Sequence, residues 1–511
     1  MSGARTLTPT TPSRFRRWAP RFGIAFIAWI IFAGLASRLV PNVPVATVRT
    51  GAADGFVVGA VHMHTTESDG GGNVDDLVDA ALANGLDFIV VTDHNIERRS
   101  SFEYRRDVLI LYGEELTLPN MGHAMLLDVD TVRLMEPDSV DRARAIPFHR
   151  TLADAGLRVA AHPNGRRYWW DRTMSAVDGM EIWNADSEWR NDGVIDWLEA
   201  LTLLPFRPEL GMMALVDRPD RNLALLDSVS LTRRISTTCA VDAHAAIKIT
   251  DGWVIRFPTY RMTLGLLQQH VPVSAPMSGD ADQDGRILTN ALRNGGGYCA
   301  LGGLADDRGI RIDVENDEVV VLLPNDLPQA RIRVYRDGDL LMEQEGTSAR
   351  APAATSGSYR VEVDVRARLL RTRWLPWILT GPIQVGAGPD DPPPSILGTF
   401  EDDYGNRFTI SDSLWLHEPA TGYDIVQWRG SERFAVARNA STNTSDPGLW
   451  TRIDWVELQG PDAVEPWSWG FCLSTWNAAS FSDARETRIA DRSDPRTGCG
   501  GFPFSRMKRT D

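Results

Sequence analysis

The chain holds nine histidines in 511 residues. Six of them, His62, His64, His94, His123, His162 and His244, stand at or just after the end of an apolar strand-like run, or beside a glycine in a short apolar segment. Histidines scattered for solubility have no reason to follow that pattern. Asp69, Glu115 and Asp242 fall in the same kind of place. A donor set of imidazole and carboxylate without thiolate suits zinc, manganese or iron acting as a Lewis acid, and argues against a structural zinc knot. A chain carrying this set is expected to bring the ends of several strands together.

The segments that deliver these residues read as repeated strand–helix units. Phe56 to Val61 is a short apolar strand ending at His62-Met63-His64, where alternate strand positions send both rings to one side. Asn73 caps a helix with Val74, Leu77, Val78, Ala81 and Leu82 on one face and Gly85 at its close. Phe88 to Val91 delivers Thr92-Asp93-His94, and Leu109 to Tyr112 delivers Gly113-Glu114-Glu115. A helix around Arg142 to Ala155 leads into Val159-Ala160-Ala161 and His162. Ser236 to Val241 delivers Asp242 and His244. Ligand-type residues at successive strand ends predict an α/β barrel, where such ends share one face.

The character changes after Gly309. Arg331-Ile332-Arg333-Val334-Tyr335 and Tyr359-Arg360-Val361-Glu362-Val363 alternate as half-buried antiparallel strands do, so 311–388 reads as a small β-sandwich. A linker rich in Gly, Pro and Asp runs from Gly386 to Pro394. Residues 395–511 carry Trp415, Trp428, Trp450, Trp455, Trp467, Trp469 and Trp476, a density that fits a compact all-β domain. The tryptophans can stack on sugars, but a small β-core uses them in the same way.

The N-terminus has a different role. Arg5, Arg14, Arg16, Arg17 and Arg21 precede an apolar stretch from Gly23 to Ala36, with no acidic residue before it. That is the layout of an export signal, with a small-x-small site at Gly34-Leu35-Ala36, or of a retained membrane anchor. Residues 1–46 are therefore set apart, and the remainder is expected outside the cytoplasm: periplasmic, extracellular or held at the outer face of the inner membrane. In an oxidising compartment Cys472 and Cys499 are expected to pair, while Cys239 and Cys299, in apolar surroundings, read as buried thiols; four cysteines allow three pairings, and sequence alone does not choose among them. The net charge of −15, with no basic stripe to offset it, argues against nucleic-acid duplexes and anionic lipid as principal partners.

The order His62-Met63-His64, Ser68-Asp69-Gly70, Thr92-Asp93-His94-Asn95, Gly113-Glu114-Glu115, Gly122-His123, Ala161-His162-Pro163 and Asp242-Ala243-His244 resembles the motif series of the PHP (polymerase and histidinol phosphatase) metallohydrolases. The resemblance covers about residues 55–300. The stretches Gly357 to Val361, Pro376-Trp377-Ile378 and Pro382-Ile383 resemble the β-domain of the branch named after a carbamate-insecticide hydrolase. It implies an α/β fold: a distorted seven-stranded (β/α) barrel over 47–310, followed by the β-sandwich and the small C-terminal all-β domain. It also implies two or three divalent metal ions, zinc, manganese or iron. His62, His64, Glu115 and Asp242 would hold the first. Glu115 would bridge to a second, with His123 and His162. Asp69, His94 and His244 would form a third site, the least secure because Cys239-Ala240-Val241 stands where the family has glycine-serine.

The implied activity is hydrolysis of a small-molecule or phosphoester substrate by a hydroxide shared between metals. Carboxylic ester, amide or carbamate hydrolysis on the same centre is the alternative, and a non-catalytic envelope binding protein is the competing class. Arg166 and Arg167 are candidates to grip a substrate phosphate; surface charge beside a turn describes them as well. Asn184, in Glu181-Ile182-Trp183-Asn184, is a candidate pocket residue, and a core role fits it equally. Asp280 to Gly285 begins like a calcium loop, but Ala291 stands where a glutamate is required, so it reads as a solvated acidic turn. His149, His270 and His417 have no partner pattern; His270 is expected at a helix end. Gly295-Gly296-Gly297 lacks the context of a dinucleotide loop and reads as a turn.

Overall fold

The computed structural model describes residues 14–40, 55–96, 101–118, 122–129, 155–164, 170, 177–250, 253–295, 297–305, 309–324, 327, 329–386, 392–411, 414–440, 442–458, 466–488 and 490–510. Arg166, Arg167, His149 and residues 142–154 of the expected helix lie outside them. Ala155, the last residue of that expected helix, instead opens a strand.

The first barrel is built from β1 (Phe56–Met63), β2 (Phe88–Val91), β4 (Val108–Leu118), β5 (Gly122–Val129), β6 (Ala155–Ala161), β7 (Gly179–Asn184) and β8 (Ser236–Ala243), with β8 returning to pair with β1. A short β3 (Phe102–Arg105) pairs with the outer edge of β4. Six barrel strands run parallel and β5 runs against both neighbours. That reversal adds a second route to the expected strand C-termini: an antiparallel strand presents its start to the rim where the others end, so His123, beside Gly122, enters as the second residue of β5. The strands carry apolar residues on both faces. In β1, Val58 and Ala60 join one core cluster while Val57 and Val61 join another, which is why these strands read as continuous apolar runs.

Helix α1 (Arg14–Ser37) precedes the barrel; among the described residues no helix is long and apolar enough to cross a membrane. Helix α2 (Val74–Ala83) follows β1 as the sequence predicts. Asn73 and Asp76 cap it reciprocally through side chain and backbone, and Gly85 beyond its end takes a positive φ of 65°. After β7 come α3 (Ala185–Asn191), α4 (Val194–Leu203), α5 (Pro208–Met213) and α6 (Asp220–Ser230). After β8 come the hairpin β9 (Ile247–Thr250) and β10 (Trp253–Ile255), α7 (Tyr260–Leu264), β11 (Leu267–Pro272), α8 (Ala281–Arg293) and β12 (Tyr298–Leu301).

Two expectations fail in this stretch. His270 lies inside β11, fully buried and stacked 4.5 Å from the Tyr298 ring, not at a helix end. Asp280 is the N-cap of α8, and Asp284 in its first turn is fully buried, accepting from Ser278 N–H (2.9 Å), Gly279 N–H (2.8 Å) and Tyr104 Oη (2.9 Å). The acidic run is thus a helix start anchored from below, which local composition does not distinguish from a turn.

The barrel's sheet does not stop at β1. β11 pairs with β1, β12 with β11, and β12 with β19 (Thr372–Thr380). From there the sheet continues through β18 (Gly357–Arg368) and β15 (Ala330–Arg336) to β16 (Asp339–Glu345), with β20 (Ile383–Val385) beside β18. A second sheet of β13 (Arg311–Glu315), β14 (Glu318–Leu322) and β17 (Ser348–Pro352) contributes Val319, Val321 and Ala351 to the same core cluster as Ile332 and Val363. Eight further strands, from Gly398–Asp402 to Ser505–Arg509, close a separate barrel whose core holds Trp415, Trp428, Trp455 and Trp469. The Cys472–Cys499 disulfide is formed; Cys239 and Cys299 are free and buried.

Candidate metal centre

All nine ligand-type residues named from the sequence meet at one rim of the first barrel, with Glu115 at their centre. Glu115 is almost fully buried in β4. Its Oε2 lies 3.1 Å from His62 Nε2, 3.3 Å from His64 Nε2 and 3.1 Å from His94 Nδ1. Its Oε1 lies 2.6 Å from His123 Nδ1 and 3.0 Å from His162 Nε2. Asp242 Oδ1 faces His62 Nε2 at 3.6 Å and His64 Nε2 at 3.5 Å. Asp69 sits between His64 (3.7 Å), His94 (4.0 Å) and His244 (3.4 Å).

Convergence at His62-Met63-His64 is not produced by plain strand alternation. The pairing of β1 with β2 and β8 slips between Val61 and Met63, so His62 occupies a bulge, and its φ is +69°. His162 and Asp242 also have positive φ, 29° and 47°. Three non-glycine residues in this disfavoured region at one rim mark a backbone held by its surroundings to aim side chains inward.

The surroundings are identifiable. Asp93 accepts from Thr65 N–H (2.7 Å), Thr65 Oγ1 (2.8 Å) and Ser68 Oγ (2.6 Å), folding the loop that carries Asp69 back under His64. Tyr260 Oη donates to the His64 carbonyl at 2.7 Å. A Cβ on Gly70 would sit 2.2 Å from that same carbonyl oxygen, so only glycine lets the loop close there.

Glu181, whose role the sequence reading missed, supports the other side. It is fully buried in β7, with Oε1 2.6 Å from His62 Nδ1. Oε2 accepts from the His162 backbone N–H (2.7 Å) and from Asn184 Nδ2 (2.8 Å). Its only sequence signal is an acid inside an otherwise apolar strand. Asn184 is fully buried too; it caps α3 through Ser187 N–H (2.9 Å) and reaches Asp242 Oδ2 at 3.4 Å. It positions carboxylates and does not line the cleft described below.

The electrostatics keep the carboxylates ionised. Burial by itself raises the Asp69 carboxyl, but the hydrogen bond and charge of His244, with His64 and His94, outweigh it and bring it down to about 2. Burial likewise opposes ionisation of Glu115 and Asp242, and the surrounding histidines, His62 foremost, overcome it and hold both well below the usual carboxylate range. Burial lowers His244, yet Asp69 and Asp242 raise it to about 9.

The residues fit divalent ions. His62 Nε2, both His64 nitrogens, His94 Nδ1, Asp69 Oδ1 and Glu115 Oε2 are buried without a well-aligned hydrogen bond. Unsatisfied buried donors and acceptors are costly unless something binds them. Three sets have atoms close enough to share an ion: His62, His64 and Asp242; His94, Glu115 and His123; and His64, Asp69, His94 and His244.

A cleft of about 400 Å³ opens beside the centre, lined among others by Asp69, Asp186, Trp189, Arg190, His244 and Lys248. Arg190 is held by Asp186 through two hydrogen bonds of 2.5 and 3.0 Å. Neither Arg190 nor Lys248 was singled out from the sequence, because nothing local marks a basic residue on a short helix or hairpin as lining a cleft.

Fold and site together define a mixed α/β protein, mostly strand, with a seven-stranded barrel, a separate eight-stranded barrel, and His/Asp/Glu groups able to hold divalent metal. No protein-family profile matches the chain, and no curated protein matches it. Among solved structures it is similar to a two-domain protein from Bacteroides vulgatus ATCC 8482 containing a predicted PHP-like metal-dependent phosphoesterase. That similarity has 14% identity and a TM-score of 0.31 over 66% of this chain and 98% of the other. It is also similar to PsfC from Pseudomonas syringae PB-5123, with 16% identity and a TM-score of 0.27 over 45% of this chain and 87% of the other. Likenesses this loose define neither fold nor activity.

Proposed function

We propose that the chain is a metal-dependent hydrolase of the PHP type, exported from the cytoplasm, and that its substrate is a phosphoester. One observation carries the reading: five imidazoles face the two oxygens of Glu115, with Asp69, Asp242 and His244 beside them, and the buried His62 Nε2, His64 Nε2 and His94 Nδ1 point at Glu115 Oε2 without a well-aligned hydrogen bond. Such a cluster has no structural purpose that a hydrophobic plug would not serve better.

His62, His64, Glu115 and Asp242 would hold one ion, Glu115 with His123 and His162 a second, and Asp69, His94 and His244 a third, a reading supported by their mutual proximity. Bound divalent ions supply Lewis acidity toward phosphoryl oxygens and lower the pKa of water at neutral pH. The chain's own residues do the rest. Glu181 orients His62 and the His162 backbone, and Asn184 ties Glu181 to Asp242. Arg190, fixed by Asp186, and Lys248 supply positive charge at the cleft for an anionic substrate.

The test is metal analysis of the purified chain, followed by hydrolysis of phosphomonoester, phosphodiester and carboxylic-ester substrates, with His62→Ala/His64→Ala as control. Two or three ions per chain and phosphoester turnover that the double variant loses by at least about a thousandfold are the expected result. Turnover of carboxylic esters alone replaces the phosphoester assignment. Failure to retain metal after reconstitution, with no turnover of any ester, overturns the hydrolase reading.

A further inference from the structure

Helix α4 (Val194–Leu203) carries apolar residues on both sides: Ala200 and Leu203 are buried in the core, while a second apolar stripe is left outside. A surface helix ordinarily turns its apolar stripe to the core and its charges to water. Here Glu199 is buried, accepting from the backbone N–H groups of Leu370 (2.8 Å) and Arg371 (2.9 Å) and from the Arg371 guanidinium (2.6 and 2.9 Å). Asp196 receives Arg371 (2.6 Å) and Arg373 (3.1 Å). The charged face is thus clamped onto the β-sandwich. The opposite stripe, Val194, Ile195, Leu198 and Leu201 at helical spacing, is 45–77% exposed.

Helix α1 continues that surface. Ala33 and Ser37 are buried, Gly34 admits the Phe206 ring where a Cβ would come within 3.4 Å of it, and Arg207 donates to the Val40 carbonyl at 3.5 Å. The rest of the helix turns Ile24, Phe26, Ile27, Ile31, Phe32 and Leu35 outward, each 58–69% exposed. Two adjoining helices therefore present apolar surface to the outside, far beyond the scattered exposed residues a water-facing surface carries. Helix α1 also begins with four arginines among residues 14–21, and no acidic residue precedes Gly23.

We propose that α1 and the outward face of α4 form one membrane-seating surface, lying in the headgroup–acyl boundary of an anionic bilayer. Two signals point to lipid as the occupant. Exposed apolar stripes on adjoining helices match the acyl region, and an arginine run without acidic neighbours complements anionic headgroups against a chain whose net charge is −15. The ion pairs of Asp196 and Glu199 fix α4 in this attitude, so the domain is seated by its own body as well as by its N-terminal segment. The inference stands apart from the hydrolase reading and uses none of the ligand residues; it takes α1 as a surface helix on the same side of the bilayer as α4, in place of the cleaved signal or spanning anchor expected from the sequence.

The test places a nitroxide on Leu198→Cys in the full chain and adds vesicles of phosphatidylcholine with or without phosphatidylglycerol. With anionic vesicles the label is expected to become accessible to oxygen and protected from a water-soluble nickel chelate. Ile195→Glu should weaken vesicle binding on the order of tenfold, with the far-UV spectrum unchanged. A chain that binds vesicles while the label stays water-accessible overturns the proposal, since α1 would then act alone. So does a chain that binds neither vesicle. Protection of the label without vesicles, rising with protein concentration, overturns it in favour of a second copy.

Discussion

At the scale of single residues, Glu181 carries more of the site than its anonymity in the sequence indicates. With a metal ion on Nε2, a carboxylate at 2.6 Å from His62 Nδ1 would hold the proton on Nδ1 and keep the ring turned toward Glu115 and Asp242. Glu181→Gln keeps the size and one acceptor but removes the charge. It is expected to lower metal affinity by about 10- to 100-fold, measured by competition with a chelator of known affinity. An unchanged affinity would mean that packing alone orients His62. The same residue explains why a search for ligand spacing stops short: supporting groups are chosen by where β7 lies, beside β6 and one strand removed from β1, not by distance along the chain.

At the scale of elements, α3 and the start of α4 concentrate acids whose titration bears on stability. Burial, then Asp217, Asp196 and Glu188, push the Asp192 carboxyl up to about 8, with Arg373 opposing. Burial, then Asp217 and Asp220, push Glu188 up to about 7. Both folded values lie above the unfolded ones, so folding favours the protonated forms. Their stabilising contribution is complete below the unfolded carboxylate range and is lost as pH rises toward 7 and 8. The midpoint of thermal unfolding is therefore expected to fall between pH 5 and about 8, and Asp192→Asn to flatten that slope, followed by circular dichroism. An equally steep slope in the variant would assign the dependence to other groups.

At the scale of the whole molecule, the first barrel and the β-sandwich share one sheet and one core. β12 pairs with β19 through Tyr298, Cys299 and Ala300. Arg218 pairs with Glu362 (2.5 Å) and Arg360 with Asp227 (2.6 Å), each ion pair crossing from the α5–α6 region to β18. Ending the chain after Gly309 would expose the β12 edge, uncover core residues such as Leu301 and leave Asp227 without its guanidinium partner. The shortened chain is expected to be insoluble or to aggregate on purification, read by size-exclusion chromatography. A monodisperse fragment that still binds metal would show the barrel to be independent. The C-terminal barrel touches the rest differently, through side chains such as Arg485 on Asp337 (3.1 Å) and Ser356 (2.9 Å).

What the sequence determined by itself is local and near in the chain. Apolar runs at 56–61, 88–91, 109–112, 159–161 and 236–241 are strands because their side chains are buried on both faces, and the residues after or within them reach one rim. Asn73 and Gly85 delimit α2 because capping chemistry is confined to a few neighbouring residues. Tertiary structure decided what depends on partners far along the chain. It reversed β5, so that His123 enters from a strand's beginning, and it bulged β1 at His62 because the registers with β2 and β8 both slip there. It also buried the acidic start of α8 and turned α4 outward, since which face is covered depends on Tyr104 in one case and on Arg371 and Arg373 in the other. Periodicity records that a helix or strand has two faces; only the neighbours packed against it settle which face is inside.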